Sequence, residues 1–212
     1  MKTINLIPLV VFLLCFQSVI HAQTLKNKIQ KSVVEIGKTF PEIGTQRLKQ
    51  LDQAAFLIFK KLEDSTQVDV LLLDNNNLET SQLTMIWLQA GMIYYGHSDM
   101  FNIQSAGITA KTEALSNLEV LEQYGFRIKN TNRENPNSYK VDYGPGNWVV
   151  YPKTLQSLKL NKENNLTIHL EKIASNDSNK NEVELLITDT QNIAREMMYM
   201  ATRIDNLLQT NQ

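Results

Sequence analysis

The fold is decided by residues 68–96, VDVLLLDNNNLETSQLTMIWLQAGMIYYG. The stretch opens with an apolar run at residues 68–73 in which Asp69 is the one charged residue. A polar loop follows, and apolar side chains then recur at helical spacing: Leu83, Ile86, Trp87, Ala90 and Tyr94. The run is typical of a buried strand, and the spacing predicts a helix that packs on it.

The loop between this strand and this helix covers residues 74–81. A loop that leaves the C-terminal end of a parallel strand and enters a helix points free backbone N–H groups into one concavity. Such a concavity favours an anion, so the sequence predicts an anion site here. The residues of the 74–81 loop are Asp74, Asn75, Asn76, Asn77, Leu78, Glu79, Thr80 and Ser81.

This stretch resembles the phosphate loop of the low-molecular-weight protein-tyrosine phosphatases and their arsenate reductase relatives. In that family an apolar strand is followed by Cys, five residues, Arg, Ser and a helix, with an Asn three residues after the Cys. Asn77 and Ser81 match this pattern. Asp74 stands at the nucleophile cysteine position, and Thr80 stands at the arginine position. The resemblance therefore implies the family's fold with a degenerate phosphate loop.

The resemblance extends along most of residues 25–204. Residues 101–107, FNIQSAG, are similar to the family's second strand and its Ser-Ala-Gly end, and residues 114–128 are similar to the helix and return that follow. The resemblance implies an α/β, flavodoxin-like three-layer sandwich with a mostly parallel four-stranded sheet, plus extra N-terminal helices.

Composition and charge limit the classes of partner. The chain has 212 residues, of which 42% are hydrophobic, and this suits one domain with a real core. Its net charge of −1 and pI near 6.3 give no electrostatic footprint for nucleic acid. We therefore expect no nucleic-acid partner.

The first 22 residues have the pattern of a secretory signal peptide. Lys2 precedes an apolar run at residues 4–16. Less apolar residues follow at 17–21, and a cleavage site is expected after Ala22. An uncleaved anchor would need about 20 apolar residues, and this run is shorter. The sequence thus predicts a signal peptide at residues 1–22, a domain at residues 23–212, and export to the periplasm or outside the cell. Membrane contact is expected only before cleavage.

The cysteine count excludes several chemistries. Cys15 is the only cysteine and lies in the predicted signal peptide. The mature chain would then have no disulfide, no thiolate nucleophile and no cysteine relay of the kind that arsenate reduction would require.

The remaining segments predict helices, short strands and one long loop. Residues 25–36 and 48–62 have helical periodicity, and residues 129–147 are polar and rich in Asn, Pro and Gly, which predicts a long surface loop. Residues 148–151 indicate an extra edge strand. Two short strands are expected near residues 166–170 and 183–188, and Thr188 is expected to cap the last helix.

The altered side chains argue against phosphatase chemistry. The carboxylate of Asp74 is a far poorer nucleophile than a thiolate, and Thr80 offers one neutral hydroxyl where an arginine would give two charged bonds. Glu79 adds a second negative charge. Asp74 either faces water or turns into the ring of loop amides as a built-in ligand.

Other catalytic arrangements find little support. Asp189 lies near the family's general-acid position, but it also suits the first turn of a helix. His97 and His169 lie apart, so the sequence predicts no metal site and no cofactor. An aspartate-nucleophile phosphatase of the haloacid dehalogenase type needs a second Asp where this chain has Asn76.

These observations predict an exported, catalytically inactive phosphatase relative that is retained as a binding or scaffold protein. Its partner would be an unknown protein or small ligand, and residues 75–79 and 130–146 are the exposed candidates for contact. The alternative is a hydrolase that uses Asp74 in place of the cysteine nucleophile. A structural envelope protein is a third possibility, and the sequence leaves the oligomeric state open.

Overall fold

A computed structural model describes residues 24–63, 65–110, 113, 115, 117–131, 137–161, 163–172 and 181–210. The predicted signal peptide lies outside the described residues. The helices are α1 Asn27–Gly37, α2 Thr45–Lys61, α3 Glu79–Tyr94, α4 Val120–Gln123 and α5 Ile193–Thr210. The strands are β1 Val68–Asp74, β2 Phe101–Gly107, β3 Arg127–Asn130, β4 Tyr139–Asp142, β5 Asn147–Val150, β6 Asn165–His169 and β7 Glu182–Glu184.

The main sheet has the strand order β2-β1-β6-β7, and all of its pairs are parallel. This arrangement confirms the predicted α/β class and the four-stranded, flavodoxin-like sheet. Every residue of β1 is buried, because the strand is central in the sheet and both of its faces are covered. The 74–81 loop therefore leaves the most enclosed strand of the sheet.

The helices cover one face of this sheet. Val68, Val70 and Leu72 of β1 share a core cluster with apolar residues of α1, α2, α3 and α5. Helix α5 contacts α1, α2 and α3. Arg47 of α2 and Glu196 of α5 form a two-pronged ion pair, with N–O distances of 2.8 and 2.6 Å. The extra N-terminal helices thus belong to the core of the domain.

The opposite face of the sheet is covered by the segment at residues 151–161. Leu71, Leu73 and Ala106 form a second cluster on this face. The side chains that pack against them are Leu155, Leu158 and Leu160. This segment also runs beside the C-terminal end of β2, where Gly107 N donates to Lys153 O at 2.8 Å. The chain after β5 is thereby fixed against the loop end of the sheet.

A second, antiparallel sheet has the order β3-β4-β5. The prediction of one long surface loop at residues 129–147 is therefore wrong. Ile128, Val141 and Trp148 lie opposite one another in the register and face the core. Each strand is only four residues long and has one or two inward side chains. The Asn, Pro and Gly residues of this stretch therefore dominate its sequence pattern.

Two local predictions also need correction. Among the described residues of 114–125, the helix that was expected there is only the single turn α4, and Val120 is exposed. The cap before the last helix is Asp189, because its carboxylate accepts from Gln191 N at 2.9 Å, and it is not Thr188. Within the described residues, we find no helix long and apolar enough to span a bilayer.

Candidate functional site

The carboxylate of Asp74 lies inside the 74–81 loop. Asp74 is 3% exposed. Its Oδ1 accepts from the backbone N–H of Asn77 at 2.5 Å, and its Oδ2 accepts from the backbone N–H of Ser81 at 3.2 Å. Of the two orientations considered from the sequence, the inward one matches this geometry. The carboxylate thus occupies two of the backbone donors that a loop of this type would offer to an oxyanion.

The electrostatics of Asp74 reflect its enclosure. Burial raises the pKa of this carboxyl, whereas the hydrogen bonds from Ser81 and Asn77 lower it and leave a net increase. The nearby carboxylate of Glu171 adds repulsion in the same direction as burial. Because the folded-state pKa is raised, this group contributes most to stability below its unfolded pKa, and that contribution is lost as pH rises through the folded pKa.

Asn77 holds the loop in shape. Its backbone has a positive φ of 52°, a conformation that asparagine tolerates better than most residues. Its side-chain Oδ1 accepts from Gln82 Nε2 at 3.0 Å and from Lys153 N at 2.7 Å, and its Nδ2 donates to Ser81 Oγ at 3.0 Å. The match of Asn77 and Ser81 to the phosphatase pattern thus corresponds to a direct contact between the two side chains.

Strand β2 supports the loop from the side. Ile108 N donates to Asp74 O at 3.1 Å, and Thr109 N donates to Asn75 O at 2.8 Å. Gly107 lies so close that a Cβ there would meet backbone atoms of Asn75, Asn76 and Asn77 within 3.0 Å. The loop therefore rests directly on the backbone at the end of β2.

The rim of the loop is acidic. Glu171 accepts from Asn75 Nδ2 at 2.6 Å and from Asn75 N at 3.3 Å. Glu79 accepts from Asn117 Nδ2 at 2.9 Å. In the part of the chain that the structure describes, no Arg or Lys side chain pairs with Asp74, Glu79 or Glu171. An incoming phosphate would meet three carboxylates at this site.

Lys153 is a basic residue that supports the loop. Its backbone N–H donates to Asn77, but its amine lies 5.5 Å from the centre of the Tyr151 ring. Burial lowers the pKa of this amine. Lys153 thus contributes its backbone to the loop, and its side chain packs on an aromatic ring.

The other candidate residues have structural partners. Asp189 accepts from Gln191 N and Asn192 Nδ2, both at 2.9 Å, at the start of the turn before α5. His97 bonds to Asp205 and His169 bonds to Glu182, each at 2.8 Å. The described residues bring no three His, Cys, Asp or Glu side chains together in a way that could hold a metal ion.

Several supporting residues were missed at the sequence level. Gln82 and Gly107 contact the loop through backbone and amide groups, and Glu171 reaches it from the segment after β6. A sequence pattern could have identified Gly107, since this residue ends the Ser-Ala-Gly run that resembles the phosphatase family. No local pattern could have identified Glu171, because it lies 96 residues from its partner Asn75 in the sequence.

No family model matches the sequence, and no curated protein matches it. Among solved structures, a thioredoxin-dependent arsenate reductase from Corynebacterium glutamicum matches with a TM-score of 0.40 and 14% identity. The match covers 88% of this chain and 99% of the reductase chain. A similarity this distant carries no information on activity, and the fold assignment stands on the strand order of the sheet.

Proposed function

We propose that this chain is an exported, catalytically inactive relative of the low-molecular-weight phosphatases that serves as a binding or scaffold protein. The observation that carries the proposal is that the carboxylate of Asp74 accepts hydrogen bonds from the backbone N–H groups of Asn77 and Ser81. These two N–H groups are therefore not available to a phosphate. Export is supported by the signal pattern at residues 1–22.

The same geometry disfavours the alternative, a hydrolase with Asp74 as nucleophile. Both carboxylate oxygens accept hydrogen bonds from the backbone, and burial leaves them without access to solvent. Attack on a substrate would first break one of these bonds. Thr80, at the arginine position, would add no positive charge to stabilise the transition state.

We expect purified residues 23–212 to show no turnover of an aryl phosphate above a buffer blank. The physical reasons are that the 74–81 loop has neither a thiolate nor an arginine and that its rim is acidic. The measurement is release of the phenolate, followed over hours at high protein concentration. The Asp74→Ala variant is the control, because any trace activity that it retains comes from a contaminant.

Turnover that is present in the wild-type protein and absent from Asp74→Ala would overturn the inactive assignment. A variant with Asp74→Cys and Thr80→Arg tests whether the loop can support phosphatase activity when the missing side chains are present. It restores both reactive side chains in one background, so gained turnover in this variant alone would support a phosphatase scaffold that has lost its chemistry.

A further inference from the structure

The second sheet has a basic exposed face. Arg127 and Lys129 of β3 and Lys140 of β4 are all exposed, whereas Ile128 and Val141 between them face the core. The antiparallel register places Lys129 directly opposite Lys140. Because side chains at paired positions lie on the same face of a sheet, the three cations form one patch.

Among the described residues, acidic side chains offset this patch only in part. Across the described residues, Arg127, Lys129 and Lys140 form no ion pair. Asp142 lies opposite Arg127 on this face. Its carboxylate is held by Lys26 at 2.9 Å and also attracts Arg127. Glu122 lies at the edge of β3, where its carboxylate accepts from Ile128 N at 3.3 Å.

The patch is a local excess of positive charge in a chain with a net charge of −1. Like charges placed directly opposite one another destabilise a sheet. The register therefore carries a cost in stability at Lys129 and Lys140 that a neutral residue at either position would remove. A local excess of positive charge attracts an anionic partner.

The third strand adds an apolar position to the same row. Val149 of β5 pairs with Lys140 and is 49% exposed. Two residues further along, Tyr151 is 37% exposed. Alternate side chains of an extended peptide repeat every ~6.8 Å, which is also the spacing from Arg127 to Lys129 along β3. An extended acidic segment that contains apolar residues fits this face in both charge and repeat.

We propose that the exposed face formed by Arg127, Lys129, Lys140 and Val149 is the docking surface for an acidic, extended segment of another protein. Carboxylates of the segment pair with the three cations, and an apolar side chain covers Val149. The inference rests on the proposed binding role and names its surface and the class of its partner. Nucleic acid is a poorer match, because its binding domains are strongly basic as a whole.

The test is fluorescence anisotropy with residues 23–212 and a labelled peptide in which glutamate alternates with leucine. We expect saturable binding at low ionic strength that weakens at about 0.15 M salt. Lys129→Glu and Lys140→Glu should each weaken the affinity about tenfold or more, because an attraction becomes a repulsion. Lys49→Glu, an equal charge change at an exposed position of α2, should leave the affinity unchanged.

A stability measurement separates loss of binding from loss of fold. Lys140→Glu places opposite charges across β3 and β4, so its unfolding midpoint should rise while its binding falls. The proposal is overturned if the wild-type protein does not bind the peptide, or if Lys49→Glu weakens binding equally. It is also overturned if an oligonucleotide of matched charge or anionic vesicles bind more tightly than the peptide. Phosphatase turnover with intact peptide binding would contradict the inactive assignment alone.

Discussion

Gly107→Ala should destabilise the protein by about 2–3 kcal/mol, because the added methyl group would push the 74–81 loop off strand β2. A Cβ at this position would lie 2.7 Å from Asn77 N, 2.8 Å from Asn76 C and 3.0 Å from Asn75 O. All three contacts are with backbone atoms, so no change of rotamer can relieve them. Either the loop moves or the end of β2 separates from it.

The measurement is the free energy of unfolding from a denaturant titration, with Gly37→Ala as the matched control. Gly37 ends helix α1, and a Cβ there would meet no atom within 4 Å. The control should therefore be neutral or slightly stabilising, since alanine favours the helix over glycine. A Gly107→Ala protein as stable as the control would show that the loop does not rest on β2.

The central strand and its helix were predictable because their signals are local. A continuous apolar run and a helical spacing of apolar side chains lie within one stretch, and neither needs a distant partner to be recognised. The sequence alone is compatible with two orientations of Asp74, toward water or toward the loop amides. Only the positions of the amides of Asn77 and Ser81 distinguish them, and those positions depend on the whole loop conformation.

The second sheet could not be predicted by the same route. Its inward residues pair across strands that are short, and the glycines and prolines of its turns dominate the local composition. The stacking of Trp148 on Tyr143, with ring centres 4.3 Å apart, and the bond from Lys26 N to Tyr143 O are contacts made only after folding. The basic face follows from this pairing, which is why the sequence gives no sign of a patch.

Asp74→Ala should lower the free energy of unfolding by about 2 kcal/mol and create an anion site. The substitution leaves the backbone N–H groups of Asn77 and Ser81 buried without an acceptor, and each such group costs about 1–3 kcal/mol. Removal of a buried charge offsets part of this cost, because burial raises the pKa of Asp74. The melting temperature should fall by roughly 4–8 °C for a domain of this size.

Formate, which has the size and charge of the deleted carboxylate, should then restore stability to the variant. An anion that binds only the folded state at a concentration of 100 times its Kd adds about 2.7 kcal/mol. Asp189→Ala is the control, because it also removes a carboxylate from a backbone amide, but at an exposed helix cap. Its loss of about 1 kcal/mol should show no recovery with formate, since water already reaches the freed amide.

The pH dependence checks whether burial controls the pKa of Asp74. The folded-state pKa of Asp74 is raised, so the stabilisation due to this residue grows as pH falls through that pKa and is complete below the unfolded value. The stability difference between the wild-type protein and Asp74→Ala should therefore widen from neutral to acidic pH. A difference that shrinks in acid would show that the folded state favours the ionised carboxylate and that burial does not control its pKa. If formate has no effect on the variant, the carboxylate is not a substitute for a bound anion. The inactive assignment would then lose its main support.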